Sequence, residues 1–365
     1  MTLLKLHPPA SARVERFETV VIGGGQAGLA VGQQLANRDA DFIILSDEAR
    51  VGDNWRRRWD SLRLFTPARY SGLPGMPFPA EPAHLADKDA MADYLERYAE
   101  RFDLSLRMNT RVSAVSFDGA LYRLRIDGGA SLIEANNVIV ATGAFQQPHI
   151  PTFASSLAAG IHQVHSRDYK NPFDLPGGSV LVVGAGNSGA QIALEVARFR
   201  KVWLAGRNTG HMPRRILGRD VFDWTWPVMQ RATTATRLGR YLRANIAQSG
   251  DALIGIPERA LVREGIPRVG RVEAVRGGFP VCGDTVIEPA VVIWCTGYRP
   301  DYRWIALPIF DDRGFPTHQR GVVDAAPGLF FVGLRFQHRI NSSLIGGVGA
   351  DAAYIAEQAA RRMRN

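Results

Sequence analysis

Cysteine is scarce in this chain of 365 residues, which has only Cys282 and Cys295. Their separation matches neither a CxxC redox pair nor a zinc-ligand spacing, so no dithiol centre and no metal site are expected, and reduced thiols point to the cytoplasm. Long apolar runs are also missing. None approaches the roughly 18 residues of a membrane-spanning helix. The opening MTLLKLHPPASARVER lacks the apolar core of a signal peptide. A cytoplasmic protein without a membrane anchor is the expectation. Low-complexity tracts, which would favour disorder, are absent as well.

Acid is in deficit, with 35 Asp and Glu against 44 Lys and Arg, a formal net charge of +9. The surplus cations are scattered, with short clusters at Arg56 to Arg58, at Arg214 and Arg215, and at Arg361, Arg362 and Arg364. No basic helix interleaved with aromatic residues stands out, so no nucleic-acid partner is expected. A surface that holds polyanionic cofactors would also be basic. The remainder is that of a folded protein, 46% hydrophobic and 22% charged. Its length suits two domains of ordinary size.

Two stretches repeat one pattern. In FETVVIGGGQAGLAVGQQLANRDADFIIL, Thr19 to Ile22 read as a buried strand and Gly23-x-Gly25-x-x-Gly28 as a tight turn. Ala27 to Ala36 read as a helix, followed by an apolar strand at Phe42 to Leu45. The glycines of such a turn make the bend, admit a pyrophosphate to the backbone and let the helix pack on the sheet. The helix N-terminus then offers free N–H groups to the phosphates. GSVLVVGAGNSGAQIALEVARFRKVWLAGR repeats the arrangement with Gly184, Gly186 and Gly189, a helix opened by Asn187 and Ser188 and running to about Arg198, and a strand at Val202 to Ala205. Two copies imply two dinucleotide sites, one per domain.

The end of the second strand in each copy separates the cofactors. A ribose-binding acid belongs about 20 residues past the first glycine. In the second copy Arg207 stands there, which suits the 2′-phosphate that NADPH carries and NADH lacks. Arg214 or Arg215 adds to the same pocket. In the first copy the position is Ser46, followed by Asp47 and Glu48. Either Ser46 or Asp47 takes the ribose hydroxyl.

VIVATGAFQQPHIP and VVIWCTGYRPD each read as a strand ending in a Thr-Gly turn, Thr142-Gly143 and Thr296-Gly297. They mark the points where the chain enters and leaves an inserted domain. The expected architecture is α/β, with two Rossmann-like dinucleotide-binding domains. The NADPH-binding domain (149–291) is inserted into a discontinuous FAD-binding domain (1–148 and 292–365). A strand at Leu329 to Val332 and a glycine-rich turn, Gly346 to Gly349, precede a final helix from about Ala350. The positive end of that helix suits the negative charge that develops on a reduced flavin.

These pieces resemble the NADPH- and FAD-dependent class B flavoprotein monooxygenases, in particular the flavin-containing and YUCCA-type members and their bacterial relatives. The resemblance covers nearly the whole chain: the GGGQAGL and GAGNSGA turns, GDNW at Gly52 to Trp55, DSLRLFTPARYSGLPGMPFP, the ATG and CTGYRPD turns, and Gly160 with HSRDYK. It implies FAD at the first turn and NADPH at the second. NADPH reduces the flavin, O2 adds to give a flavin hydroperoxide, and retained NADP+ shields it until a small-molecule substrate takes one oxygen atom. Trp55, Trp59, Phe65 and Pro67 line the flavin by this resemblance. Further cofactor contacts fall to Val112, to Ala141 with Thr142 and Gly143, and to Leu344.

His165 and Tyr169 match the second half of the family fingerprint F-x-G-x-x-x-H-x-x-x-Y/F, with Gly160 displaced one residue upstream. They are the candidate catalytic residues, as positioning groups more than acid–base groups. Phe65 or Thr66 stands where flavin-containing members carry an asparagine. The alternative activity is an NADPH-dependent flavoprotein reductase or oxidase that passes electrons to another acceptor or releases peroxide. The segment 210–260, with Trp224, Trp226 and a helix expected over Ala232 to Ala247, serves as a lid, a homodimer contact or a decoration of the NADPH domain.

Overall fold

The computed structural model describes residues 13–127, 131–246 and 252–364. Two sheets organise them. The first has seven strands, in the order Leu106–Arg107, Phe42–Leu45, Arg13–Ile22, Ser131–Val140, Tyr122–Ile126, Val112–Phe117, with Leu329–Phe331 also paired to Ser131–Val140. Its nucleotide-binding half is parallel, with Val21 opposite Ile44 and Ile139. The Val112–Phe117 and Tyr122–Ile126 strands close it as an antiparallel hairpin.

The second sheet has five strands, in the order Arg268–Val269, Val202–Ala205, Val180–Val183, Val291–Trp294, His162–His165. All its pairings are parallel. The central strands VLVV and VVIW are buried at every position, as expected where both faces of a parallel sheet are covered. Each of these side chains contributes about 1.5–3 kcal/mol of burial.

The last strand of the first sheet, Leu329–Phe331, follows the whole second sheet in sequence. The second unit is therefore inserted into the first. The chain crosses at a two-stranded antiparallel ribbon, Gln147–Pro148 against Tyr298–Arg299. The return lies later than 292, because Val291–Trp294 is hydrogen-bonded between two strands of the second sheet.

Helix Gln26–Ala36 buries Leu29, Ala30, Val31 and Leu35. It packs against the C-terminal helix Gly349–Arg364. Helix Lys88–Arg101 is capped by Asp87, whose carboxylate accepts from the Ala90 N–H. Two of its buried tyrosines hold the 70s loop: Tyr94 donates to the Met76 carbonyl at 2.6 Å and Tyr98 to the Pro74 carbonyl at 2.8 Å.

The helix expected over 232–247 is Arg237–Ile246, starting five residues later, and a further helix, Val221–Arg231, precedes it. Ala247 lies outside the described residues. Thr236 sits in the break, and its hydroxyl accepts from the Gly239 N–H at 3.0 Å, an N-terminal cap that starts the second helix.

Candidate active site

The two glycine turns are near copies in three dimensions. Gly23 has φ +115 and Gly184 has φ +112. A Cβ on Gly23 would lie 2.6 Å from the Ala141 carbonyl oxygen, and one on Gly184 would lie 2.1 Å from that of Cys295. A Cβ on Gly28 or on Gly189 would fall 1.8 Å from the carbonyl oxygen of Gly23 or Gly184. These four glycines are required by the fold itself. Gly25 and Gly186 differ, because nothing lies within 4 Å of a Cβ built on either. Both are N-cap residues of helices with no side-chain cap and no acid in the first turn. Each helix end therefore presents open space and unanswered N–H groups, a cradle for an anion.

A cleft of about 950 Å³ opens at the first turn. Gly23, Gly25, Ser46, Asp47, Trp55, Val112, Ala141, Thr142 and Gly143 all line it. So do Arg57, Arg58, Arg111, Arg167 and Lys170, which the glycine pattern does not reveal. Ser46 is buried, and its Oγ accepts from the Glu48 N–H at 3.3 Å. Asp47 is exposed. Glu48 also lines the cleft, with its carboxylate on the Arg57 guanidinium. Desolvation raises its pKa, and the Arg57 pairing works against that rise. At the far end, Val348 and Ser343 bring the start of the C-terminal helix to the cleft. The first turn of that helix holds its own acid, fully buried Asp351, 3.8 Å from Arg320 Nε and raised in pKa by desolvation.

Leu344 stands apart from the cleft lining. It packs with Phe65 and Tyr70 against Val221, Phe222 and Trp226. Phe65 stacks on Phe222 at 6.2 Å, and Tyr70 on Trp226 at 4.8 Å. Asp223 fixes this contact, accepting two bonds from Arg69 at 2.9 Å and one from the Tyr70 hydroxyl at 2.7 Å. Trp59 is buried. Pro67 starts a short 3-10 turn, Ala68–Tyr70.

At the second turn, the Asn187 side chain is already engaged. It donates to the Ala252 carbonyl at 3.1 Å and accepts from the Ile254 N–H at 2.9 Å. Arg207 follows the strand Val202–Ala205 and is exposed. Arg268, on the neighbouring strand, donates to the Arg207 carbonyl at 3.3 Å. Arg214 lies 2.7 Å from the Asp220 carboxylate, and its Nη1 donates to the Phe65 carbonyl at 2.5 Å. Desolvation lowers its pKa. It ties the 210s loop to the Phe65 segment.

His165 supports the crossing ribbon, and Tyr169 anchors to the helix Asn187–Val196. The His165 Nδ1 accepts from the Arg167 N–H at 3.1 Å, so Nε2 carries the proton and donates to the Gly297 carbonyl at 3.1 Å. Its ring meets Tyr298 edge-on at 5.1 Å. Burial lowers its pKa, which keeps it neutral. Tyr169 is buried and donates to Glu195 at 2.7 Å. Desolvation, then that bond, raises its pKa far above the usual range. Arg58 clamps the same ribbon, bonded to the Tyr298 hydroxyl at 2.6 Å and lying 5.5 Å from the Phe145 ring centroid. Both cysteines are free thiols, and burial pushes Cys295 up to about 12.

Fold and site together define an oxidoreductase built on two dinucleotide-binding units. The pyridine nucleotide-disulphide oxidoreductase family matches residues 20–247. An uncharacterized CzcO-like oxidoreductase of Geobacillus kaustophilus is 42% identical over 343 residues, 93% of this chain and 97% of its own. Indole-3-pyruvate monooxygenase YUCCA1 of Oryza sativa subsp. japonica is 35% identical over 223 residues, 59% of this chain and 55% of its own. A flavin-containing monooxygenase from Stenotrophomonas maltophilia, 27% identical, superposes with a TM-score of 0.79 over 96% of this chain and 99% of its own. The chain belongs to the pyridine nucleotide-disulphide oxidoreductase family and, within it, to the NADPH- and FAD-dependent class B flavoprotein monooxygenases.

Proposed function

We propose that this enzyme is an NADPH-dependent FAD monooxygenase that inserts one oxygen atom from O2 into a small organic substrate. The observation that carries the reading is the pair of matching helix ends, one opening on the cleft and the other followed by Arg207. The FAD-binding unit comprises the described residues up to 148 and those past Trp294. The inserted unit binds NADPH.

The residues present fit FAD. Gly23 and Gly25 hold its pyrophosphate, and Ser46 with Glu48 its adenosine ribose. Trp55, Thr142 and Val348 contact the remainder. Bound FAD supplies a hydride acceptor and, once reduced, the group that activates O2. Arg57, Arg58, Arg111, Arg167 and Lys170 balance the phosphate charge along the cleft. Arg207 and Arg268 hold the 2′-phosphate of NADPH. His165 and Tyr169 have their polar atoms committed, so His165 positions the ribbon and Tyr169 the helix Asn187–Val196, rather than moving protons.

The test is anaerobic reduction by NADPH followed by rapid mixing with O2. Flavin absorbance is followed and peroxide is assayed. A lasting spectrum distinct from both oxidised and reduced flavin, with slow peroxide release, is expected. Immediate return to oxidised flavin with stoichiometric peroxide would instead identify an oxidase, or a reductase serving another acceptor.

A further inference from the structure

The segment between the second nucleotide motif and the end of the insertion carries an exposed apolar face that the proposed reaction does not use. Arg215–Ile216 and Arg219–Asp220 form a hairpin with Leu217 at its tip, φ +51 and 88% exposed. Trp224, also exposed, donates from its indole N–H to the Ile216 carbonyl at 3.2 Å, and the Arg219 guanidinium lies 5.7 Å from its ring centroid. Val228, one turn further along helix Val221–Arg231, is exposed on the same side. The opposite side of that helix, Phe222 and Trp226, packs on Phe65 and Tyr70. The helix is apolar on both sides, and only one side is covered.

Charge decides what the other side meets. The hairpin's acid, Asp220, is paired with Arg214, and Asp223 is paired with Arg69. Residues 224–250 contain no Asp or Glu, but they include Arg231, Arg237, Arg240 and Arg243. The following helix, Arg237–Ile246, exposes Leu238 and Tyr241 beside those arginines. A two-fold contact with a second copy would bring together two faces that each carry the exposed Arg215 and Arg219 of the hairpin. A protruding leucine with a tryptophan beside it and arginines around both matches the interface of a bilayer, where apolar groups enter the acyl boundary and cations meet anionic headgroups.

We propose that the Leu217 hairpin and the outer side of helix Val221–Arg231 dock this enzyme onto an anionic lipid surface. Contact of this kind needs no spanning helix, and none of the described helices is long and apolar enough to be one. The docked helix is the same one that walls the Phe65 segment.

Flotation of the FAD-loaded protein with vesicles tests this directly. Vesicles of phosphatidylcholine alone are compared with vesicles of phosphatidylcholine and phosphatidylserine. Binding to the anionic vesicles only, reversed by salt, is expected. Leu217→Asn keeps the left-handed backbone accessible and weakens partitioning by about tenfold. The double variant Arg215→Glu, Arg219→Glu weakens it by about tenfold or more. Leu217 is exposed, so its variant carries the test even if the double variant does not fold. The proposal is overturned if neither vesicle binds, if both bind equally, or if Leu217→Asn leaves binding unchanged. It is also overturned by a concentration-dependent dimer in ultracentrifugation that Leu217→Asn abolishes. Binding to duplex DNA that the arginine variant removes and the leucine variant spares would likewise overturn it.

Discussion

Gly25 and Gly186 hold the same place in two separate folding units, with φ −83 and ψ −172 at the first and φ −81 and ψ −171 at the second. These are extended angles that any residue adopts, and no atom crowds a Cβ at either. Glycine is not needed there by the protein, so the space serves what binds. Gly25→Ala is expected to leave the melting temperature of the cofactor-free protein unchanged and to weaken FAD by about tenfold or more. Gly186→Ala does the same for NADPH while sparing FAD. By contrast, Gly28→Ala and Gly189→Ala abolish soluble expression, because their new carbons collide with backbone oxygens. Calorimetry of the cofactor-free proteins with flavin titration checks all four.

On the proposed function, Arg207 has a ligand role and Arg214 a structural one. Arg207→Ala is expected to raise KM for NADPH by about tenfold or more with NADH unaffected, the size of a lost charge-assisted bond. Its urea midpoint is unchanged because the side chain is exposed. Arg214→Ala leaves the coenzyme preference alone but strands the mostly buried Asp220 carboxylate. A loss of about 1–3 kcal/mol is expected. Kinetics and urea unfolding of both variants discriminate the roles, and a shifted NADPH preference in Arg214→Ala would refute the assignment.

The strands Phe42–Leu45 and Val202–Ala205 coincide with the sequence expectation, because a glycine turn fixes one side of each unit and an unbroken apolar run identifies a strand buried on both faces. What escaped the sequence depends on long-range packing. Glu48 reaches the cleft because Arg57 returns beside it, and Arg268 meets Arg207 only through sheet pairing. Leu344 joins an apolar cluster with helix Val221–Arg231 that no local pattern announces. The strand Val291–Trp294 belongs to the second sheet, between Val180–Val183 and His162–His165, a pairing that the apolar run VVIW alone does not reveal.

Glu48 competes with Asp47 for the ribose. Glu48→Gln is expected to weaken FAD by about tenfold while Asp47→Asn, at an exposed position, changes little. Fluorescence titration of apoprotein with FAD measures both. The reverse order would return the role to Asp47.

Two half-buried histidines give the protein an acid limit. Burial, with nearby arginines, lowers His318 and His338 from 6.5 to about 4. Above 6.5 both are neutral whether the chain is folded or unfolded. Below it the unfolded chain takes up protons that the folded chain refuses. Stability is therefore complete above about pH 6.5 and is lost as pH falls from there through about 4. Urea midpoints across this range should fall steadily. Replacing His338 by Gln should flatten the decline, and an unaltered slope would show that other groups set it.

The central claim is that two nucleotide sites divide the work, one for FAD and one selective for NADPH. Anaerobic stopped-flow reduction of the FAD-bound enzyme by NADPH and by NADH, each over a range of concentration, tests it most directly. The account predicts bleaching of one flavin per chain, with half-saturation at least about tenfold lower for NADPH. Equal half-saturation by the two coenzymes would contradict it.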